Sequence, residues 1–146
     1  MPGLKLPAVI DNLEQMISFI LQGLESLNIK DKEKHAAKLR LACEEALVNI
    51  IKHAYKTEKG DVEIIYTFDS RKNEFKVKLL DKGPAFNPLA KEDPDINLPV
   101  EERQIGGLGI LMIKNSMDEV KYERKKGKNI LIMTRYLNSS DVKESR

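Results

Sequence analysis

No run of apolar residues in this chain approaches the roughly 20 that span a bilayer, and residues 1–5 have nothing like the apolar core of a signal peptide. The expectation is a cytoplasmic protein with no membrane contact. An excess of one charge is missing as well: 25 Lys and Arg stand against 23 Asp and Glu. The whole-molecule field therefore argues against direct nucleic-acid binding, and any anion site has to be local. Cysteine is nearly absent. The single Cys43 has no partner for an internal disulfide, and its place among helical core positions reads as a buried small hydrophobe rather than a nucleophile. No internal repeat is found. What is present, 146 residues with 41% hydrophobic and 33% charged, suffices for one globular domain with a sizeable core, expected over residues 1–138, with a disordered tail over 139–146.

Apolar spacing divides the chain. Ile10, Leu13, Ile17, Ile20, Leu24 and Leu27 recur at steps of three and four, which predicts a helix over 9–27. Asp31 is placed to N-cap a longer helix reaching about residue 55, with Leu39, Cys43, Ala46 and Ile50 on one face. After Gly60 the period falls to two. Val62, Ile64, Tyr66 and Phe68, then Phe75, Val77 and Leu79, predict two antiparallel strands joined by a polar turn at 69–73. Residues 84–99 hold four of the six prolines, with acidic residues between them. A long irregular connection of this kind inside a compact domain is often a lid or binding loop. Gly106, Gly107 and Gly109 end it, Ile110, Leu111, Ile113 and Met117 predict a third helix, and strands follow near 120–123 and 130–136. This order fits an α+β two-layer sandwich with helices packed on one face of a mixed, largely antiparallel sheet.

Three segments carry chemistry. In Glu45-Ala46-Leu47-Val48-Asn49, residues four apart share a helix face about 5–6 Å apart, so carboxylate and amide look out together at the edge of the apolar stripe. An amide oxygen suits hard Mg²⁺, and a neighbouring carboxylate can take a proton or orient a hydroxyl. Alone, the spacing equally describes a solvated helix edge. In Asp81-Lys82-Gly83-Pro84-Ala85-Phe86, a carboxylate at a strand end can accept from the exocyclic amine of adenine, and Gly83, lacking Cβ, permits close approach of a base. Asp, Gly and Pro are also the usual turn formers. In Gly106-Gly107-Leu108-Gly109 the glycines free backbone N–H groups for phosphate at a helix N-terminus, or simply make a hinge.

In this order and spacing the three segments resemble the N box and the two glycine boxes of the GHKL superfamily of ATPases. The runs Glu45 to Tyr55, Gly106 to Ile110 and Met117-Asp118-Glu119-Val120 are more specifically similar to the anti-sigma-factor serine/threonine kinases of that superfamily, and the resemblance covers residues 4–137. It implies a histidine-kinase-like ATP-binding fold, ATP and Mg²⁺ as cofactors, Glu45 as catalytic base and Asn49 as metal ligand. It further implies Asp81 as the adenine reader with Gly83 beside it, and a phosphate cradle from Gly106, Gly107, Leu108 and Gly109, with Arg103 placed to reach phosphate or the partner. The implied function is to phosphorylate a serine of an anti-anti-sigma, STAS-like partner and alternately to sequester a sigma factor, as a homodimer. The alternative is an ATP-binding module that captures a partner without transfer, whose signature would be a missing Glu45. Two departures stand out. Gly127-Lys128-Asn129 replaces a frequent Gly-Thr whose hydroxyl helps bind adenine, so that Asn129 is left to supply the polar group, and Phe86-Asn87-Pro88 replaces Phe-Asp-Pro. His53 is expected to be packed and hydrogen-bonded, Glu44 to face solvent, the basic run 121–128 to be a solvated hairpin, and 88–103 to be a lid ordered by ATP.

Overall fold

A computed structural model describes residues 2–55, 59–90 and 107–137. The steps of three and four do build a first helix, α1 (Leu13–Glu25), with Met16, Ile17, Ile20 and Leu24 buried along one stripe. It begins later than the periodicity predicts. Ala8 N–H still donates to the Gly60 carbonyl and Val9 keeps an extended backbone, so the chain remains tied to the sheet edge until a 3₁₀ turn at Ile10–Asn12 releases it. Ile10, expected on the stripe, is 60% exposed as a result.

The second helix, α2 (Lys32–His53), buries Leu39, Ala42, Cys43, Ala46 and Leu47. Asp31 occupies its N-cap position, but with φ 55° and ψ 35° it makes no side-chain cap bond, so the expected capping is not what starts this helix. Lys32 instead donates to the Glu25 carbonyl, closing the end of α1 onto the start of α2, and Arg40 forks onto both oxygens of Glu14. The third helix, α3 (Gly107–Ser116), packs against α2.

Five strands form the sheet: β1 (Gly3–Pro7), β2 (Asp61–Asp69), β3 (Glu74–Asp81), β4 (Glu119–Lys125) and β5 (Lys128–Tyr136), in the order β1-β2-β3-β5-β4. Every pairing among these strands is antiparallel, where a mixed, largely antiparallel sheet was expected. The reason is topological: α3 returns the chain so that β4 runs in the same direction as β3, but β5 folds back into the space between them. Both hairpins use backbone that the sequence marks. At 69–73, Asp69 Oδ1 accepts from the N–H groups of Arg71 and Lys72, and Lys126 and Gly127 take consecutive positive φ values of 53° and 76°, the two-residue primed turn. The basic run is the exposed hairpin that was expected. Alternation sends Val62, Ile64, Phe75, Val77, Leu79, Leu131 and Met133 to the face that the helices cover.

Candidate functional site

Apolar alternation ends at one end of the sheet, and there five elements meet. The last two turns of α2, the end of β3, the first half of β4, the start of β5 and the body of α3 surround a cleft of about 600 Å³, counting the solvent at its mouth. Leu79, Ile110, Ile113 and Leu131 line its floor, Pro84, Phe86 and Leu89 its outer wall, and its polar groups are few: Asn49, His53, Asp81, Tyr122 and Asn129. A mostly apolar slot with a small number of placed polar groups suits a flat aromatic base.

Asp81 is the last residue of β3 and pairs across the sheet with Asn129. The residue is 6% exposed. Oδ1 accepts from Gly83 N–H at 2.9 Å and from Asn129 Nδ2 at 3.0 Å, whereas no donor among the described residues reaches Oδ2. An acceptor held against an apolar floor with one oxygen free fits the amine edge of adenine. Gly83 is needed for a reason the sequence did not disclose: a Cβ there would stand 2.5 Å from the Ala54 carbonyl oxygen, so the residue lets the turn pack on the end of α2.

Glu45 and Asn49 lie one turn apart on α2, with Asn49 lining the cleft. Gly109 is pressed against Glu45, and a Cβ at 109 would come within 2.8 Å of Glu45 Oε1. The helical pair and the glycine run, more than 50 residues apart in sequence, thus meet at the same place. Gly107 and Leu108 open α3, which puts the run at a helix N-terminus with its unpaired N–H groups. Gly106, Arg103 and the expected lid beyond Ala90 lie outside the described residues. These hold no group of three or more His, Cys, Asp or Glu arranged to bind a metal.

His53 is corrected by the structure. It is exposed rather than packed, its ring 6.1 Å from that of Phe86, because the last turn of α2 brings it to the cleft that both side chains line rather than into the core. Cys43 is buried as expected, and burial pushes its thiol up to about 12. Asn87 Oδ1 accepts from Leu89 N–H and opens the turn at Pro88–Ala90, a task its amide performs as an aspartate would. Three residues escaped the sequence reading. Tyr122 O–H donates to Asn129 Oδ1 at 2.5 Å, Arg124 donates to the Gly83 carbonyl at 2.7 Å, and Tyr55 bridges the Asp61 carbonyl and Lys82 N–H. Only the alternation in β4, which sends Tyr122 and Arg124 to one face, could have pointed to the first two.

Among the described residues no helix is long and apolar enough to cross a membrane. The family of histidine kinase-like ATPase domains matches residues 6–135. The serine-protein kinase RsbW of Listeria monocytogenes serovar 1/2a is 32% identical over 111 residues, covering 73% of this chain and 69% of its own. That of Bacillus mycoides is 33% identical over 108 residues, 71% and 66%. Among solved structures, the RsbU and RsbW domains of Rv1364c from Mycobacterium tuberculosis share the fold at a TM-score of 0.62 and 15% identity over 94% of this chain, which spans 33% of that one. The blue-light activated histidine kinase of Erythrobacter litoralis does so at 0.58 and 17% over 90%, this chain spanning 42% of its length. With Asn49 and Asp81 lining one cleft and Gly109 set close to Glu45, the chain belongs to the histidine kinase-like ATPase domain family, beside the RsbW serine-protein kinases.

Proposed function

We propose that this protein is an ATP-dependent serine kinase and anti-sigma factor, which phosphorylates an anti-anti-sigma, STAS-like partner and holds a sigma factor in the alternate state. The observation that carries the reading is the contact of Gly109 with Glu45 beside Asn49. The reading has the phosphate end of the nucleotide beside the Glu45 carboxylate when its base sits against Asp81. Relatives named as serine-protein kinases support the same chemistry.

ATP with Mg²⁺ supplies the transferable phosphoryl group and neutralises its developing charge. The chain does the rest. Asp81 and the apolar floor hold the base, Asn49 offers its amide oxygen to the cation, and Gly107 to Gly109 present backbone N–H groups to the phosphates, with Gly106 and Arg103 assigned to the same cradle. Glu45 orients the serine hydroxyl and takes its proton as the serine Oγ–phosphorus bond forms and the bridging bond to the β-phosphate breaks, releasing ADP. We assign the active species as a cytoplasmic homodimer.

Glu45→Ala removes neither a base contact nor a metal ligand. Nucleotide and sigma-factor binding should persist while serine phosphorylation falls by roughly 10² to 10⁴, the usual share of a positioned general base. Asn49→Ala should weaken Mg²⁺-dependent binding and transfer together. Radiolabelled ATP, the purified protein and its anti-anti-sigma partner decide the matter: wild-type transfer by the Glu45→Ala protein removes Glu45 as base, and tight ATP binding with no transfer by the wild type establishes a capture module instead.

A further inference from the structure

Asn129 stands where the resemblance places an adenine-contacting hydroxyl, yet its amide has little left to give a base. Nδ2 donates to Asp81 Oδ1 at 3.0 Å and to the Pro84 carbonyl at 2.8 Å, with the Gly83 carbonyl at 3.4 Å. Oδ1 accepts from Tyr122 O–H at 2.5 Å and from Phe86 N–H at 3.2 Å. Three acceptors surround the nitrogen and two donors the oxygen, so the network allows one amide orientation; the flipped one would set oxygen against a carboxylate and two carbonyls. The residue is 7% exposed, and every polar valence of its amide is spent within the protein.

We propose that Asn129 is a positioning residue that fixes base specificity through Asp81 rather than by touching the base, with Tyr122 as its second support. The inference rests on Asp81 being the base reader. Holding Oδ1 with two donors, Asn129 Nδ2 and Gly83 N–H, locks the carboxylate plane and leaves Oδ2 as a lone acceptor in the cleft. A base with an exocyclic amine at that edge satisfies it, and a base without one leaves a buried acceptor unpaired, which is where discrimination comes from. A threonine at 129 is too short to span Asp81, Pro84 and Phe86 together. This chain has thus traded a possible ligand contact for a bracket that ties the base reader to the first residues of the 84–90 segment.

The test compares binding of ATP with that of purine riboside triphosphate, which carries hydrogen in place of the 6-amine and is otherwise the same ligand. Wild type should prefer ATP by about tenfold or more, the worth of one hydrogen bond to a charged acceptor. Asn129→Ala should bring the ratio to within about threefold, chiefly by losing ATP affinity, and Tyr122→Phe, which removes one hydroxyl and nothing else, should lower it part of the way. A purely structural brace would weaken both ligands alike and leave the ratio intact, and that result overturns the proposal; if Asn129→Ala does not fold, an unchanged ratio in Tyr122→Phe overturns it as well. Failure of the underlying reading looks different: wild type shows no preference, or Asp81→Asn keeps the wild-type preference.

Discussion

Strand β5 carries a buried polar cluster at each end, some six residues or about 20 Å apart, and the two are solved in opposite ways. At its start, Asp81 and Asn129 form a network with one carboxylate oxygen held back for the cleft. Near its end, Arg135 closes on its surroundings, donating from Nε to His35 Nδ1 at 2.9 Å and from Nη1 to the Ser116 carbonyl at 2.7 Å. His35 is 4% exposed, and its Nε2 is buried with no hydrogen-bond partner. Both clusters lie under α2, one beneath each half of it. The closed cluster ties α2, α3 and β5 together and leaves its unpaired atom facing inward, where it costs stability. The open cluster turns its unpaired atom toward the cleft, where on the proposed reading the same deficit becomes affinity for the base. The comparison teaches that unpaired polarity marks a site only when something can reach it.

Removing the guanidinium should separate the two ends most sharply. Arg135→Leu strips the acceptors at Ser116 and His35 of their donor, and unfolding in urea should show a loss of about 3 kcal/mol. ATP affinity of the folded fraction should hardly change, since the cleft lies at the other end of the strand; an equal loss of binding would show that the clusters are coupled. Asp81→Asn is the converse. An asparagine oxygen can still accept from Gly83 and Asn129, so the melting temperature should hold, while an NH₂ replaces Oδ2 in front of the adenine amine. Calorimetry should register about 2 kcal/mol, or roughly thirtyfold, of lost ATP affinity.

The smallest effect is in pH. Burial, then the Arg135 charge, holds the His35 imidazole below its ordinary 6.5; Lys34 adds to this, and Asp31 and the Leu137 backbone oppose it. Below about 6.5 the unfolded chain therefore binds the proton that the folded one resists, so the contribution is complete above that pH and is lost as the pH falls toward the depressed folded value. His35→Asn keeps an acceptor for Arg135 without titrating. Its stability, followed by denaturation from about pH 7.5 to 5, should decline less than that of wild type.

The open end was largely legible in the sequence and the closed end was not. Helical spacing puts Glu45 and Asn49 on one face and a strand's period ends on Asp81, but only the joint resemblance of these segments to the family's motifs singles them out as a site. Asn129 was noticed only as a departure from the family, and its bonds to Asp81 and Pro84 span more than 40 residues, which no local pattern encodes. Arg135 and His35 are 100 residues apart and drew no notice. Local rules also erred where tertiary ties overrule them: Ile10 lost its place on the stripe to the Ala8–Gly60 hydrogen bond, and Asp31 adopted a left-handed backbone that forfeits its cap.

The rung Asp81–Asn129 also has a kinetic meaning. The β2–β3 and β4–β5 hairpins are local and form on the microsecond scale, whereas the seam between β3 and β5 joins strands whose paired residues at this end are 48 apart and must wait for loop closure. The rung lies at the end of that seam with the shorter loop to close, opposite the end where Glu74 meets Tyr136, so the proposed base reader exists only in chains in which β3 and β5 have paired in register there. A slip of one residue would turn Asp81 and Asn129 to opposite faces of the sheet. On the proposed reading of Asp81, nucleotide would recognise only sheets paired in register at this end and, by binding the folded form alone, would prolong the lifetime of correctly assembled molecules by slowing their unfolding.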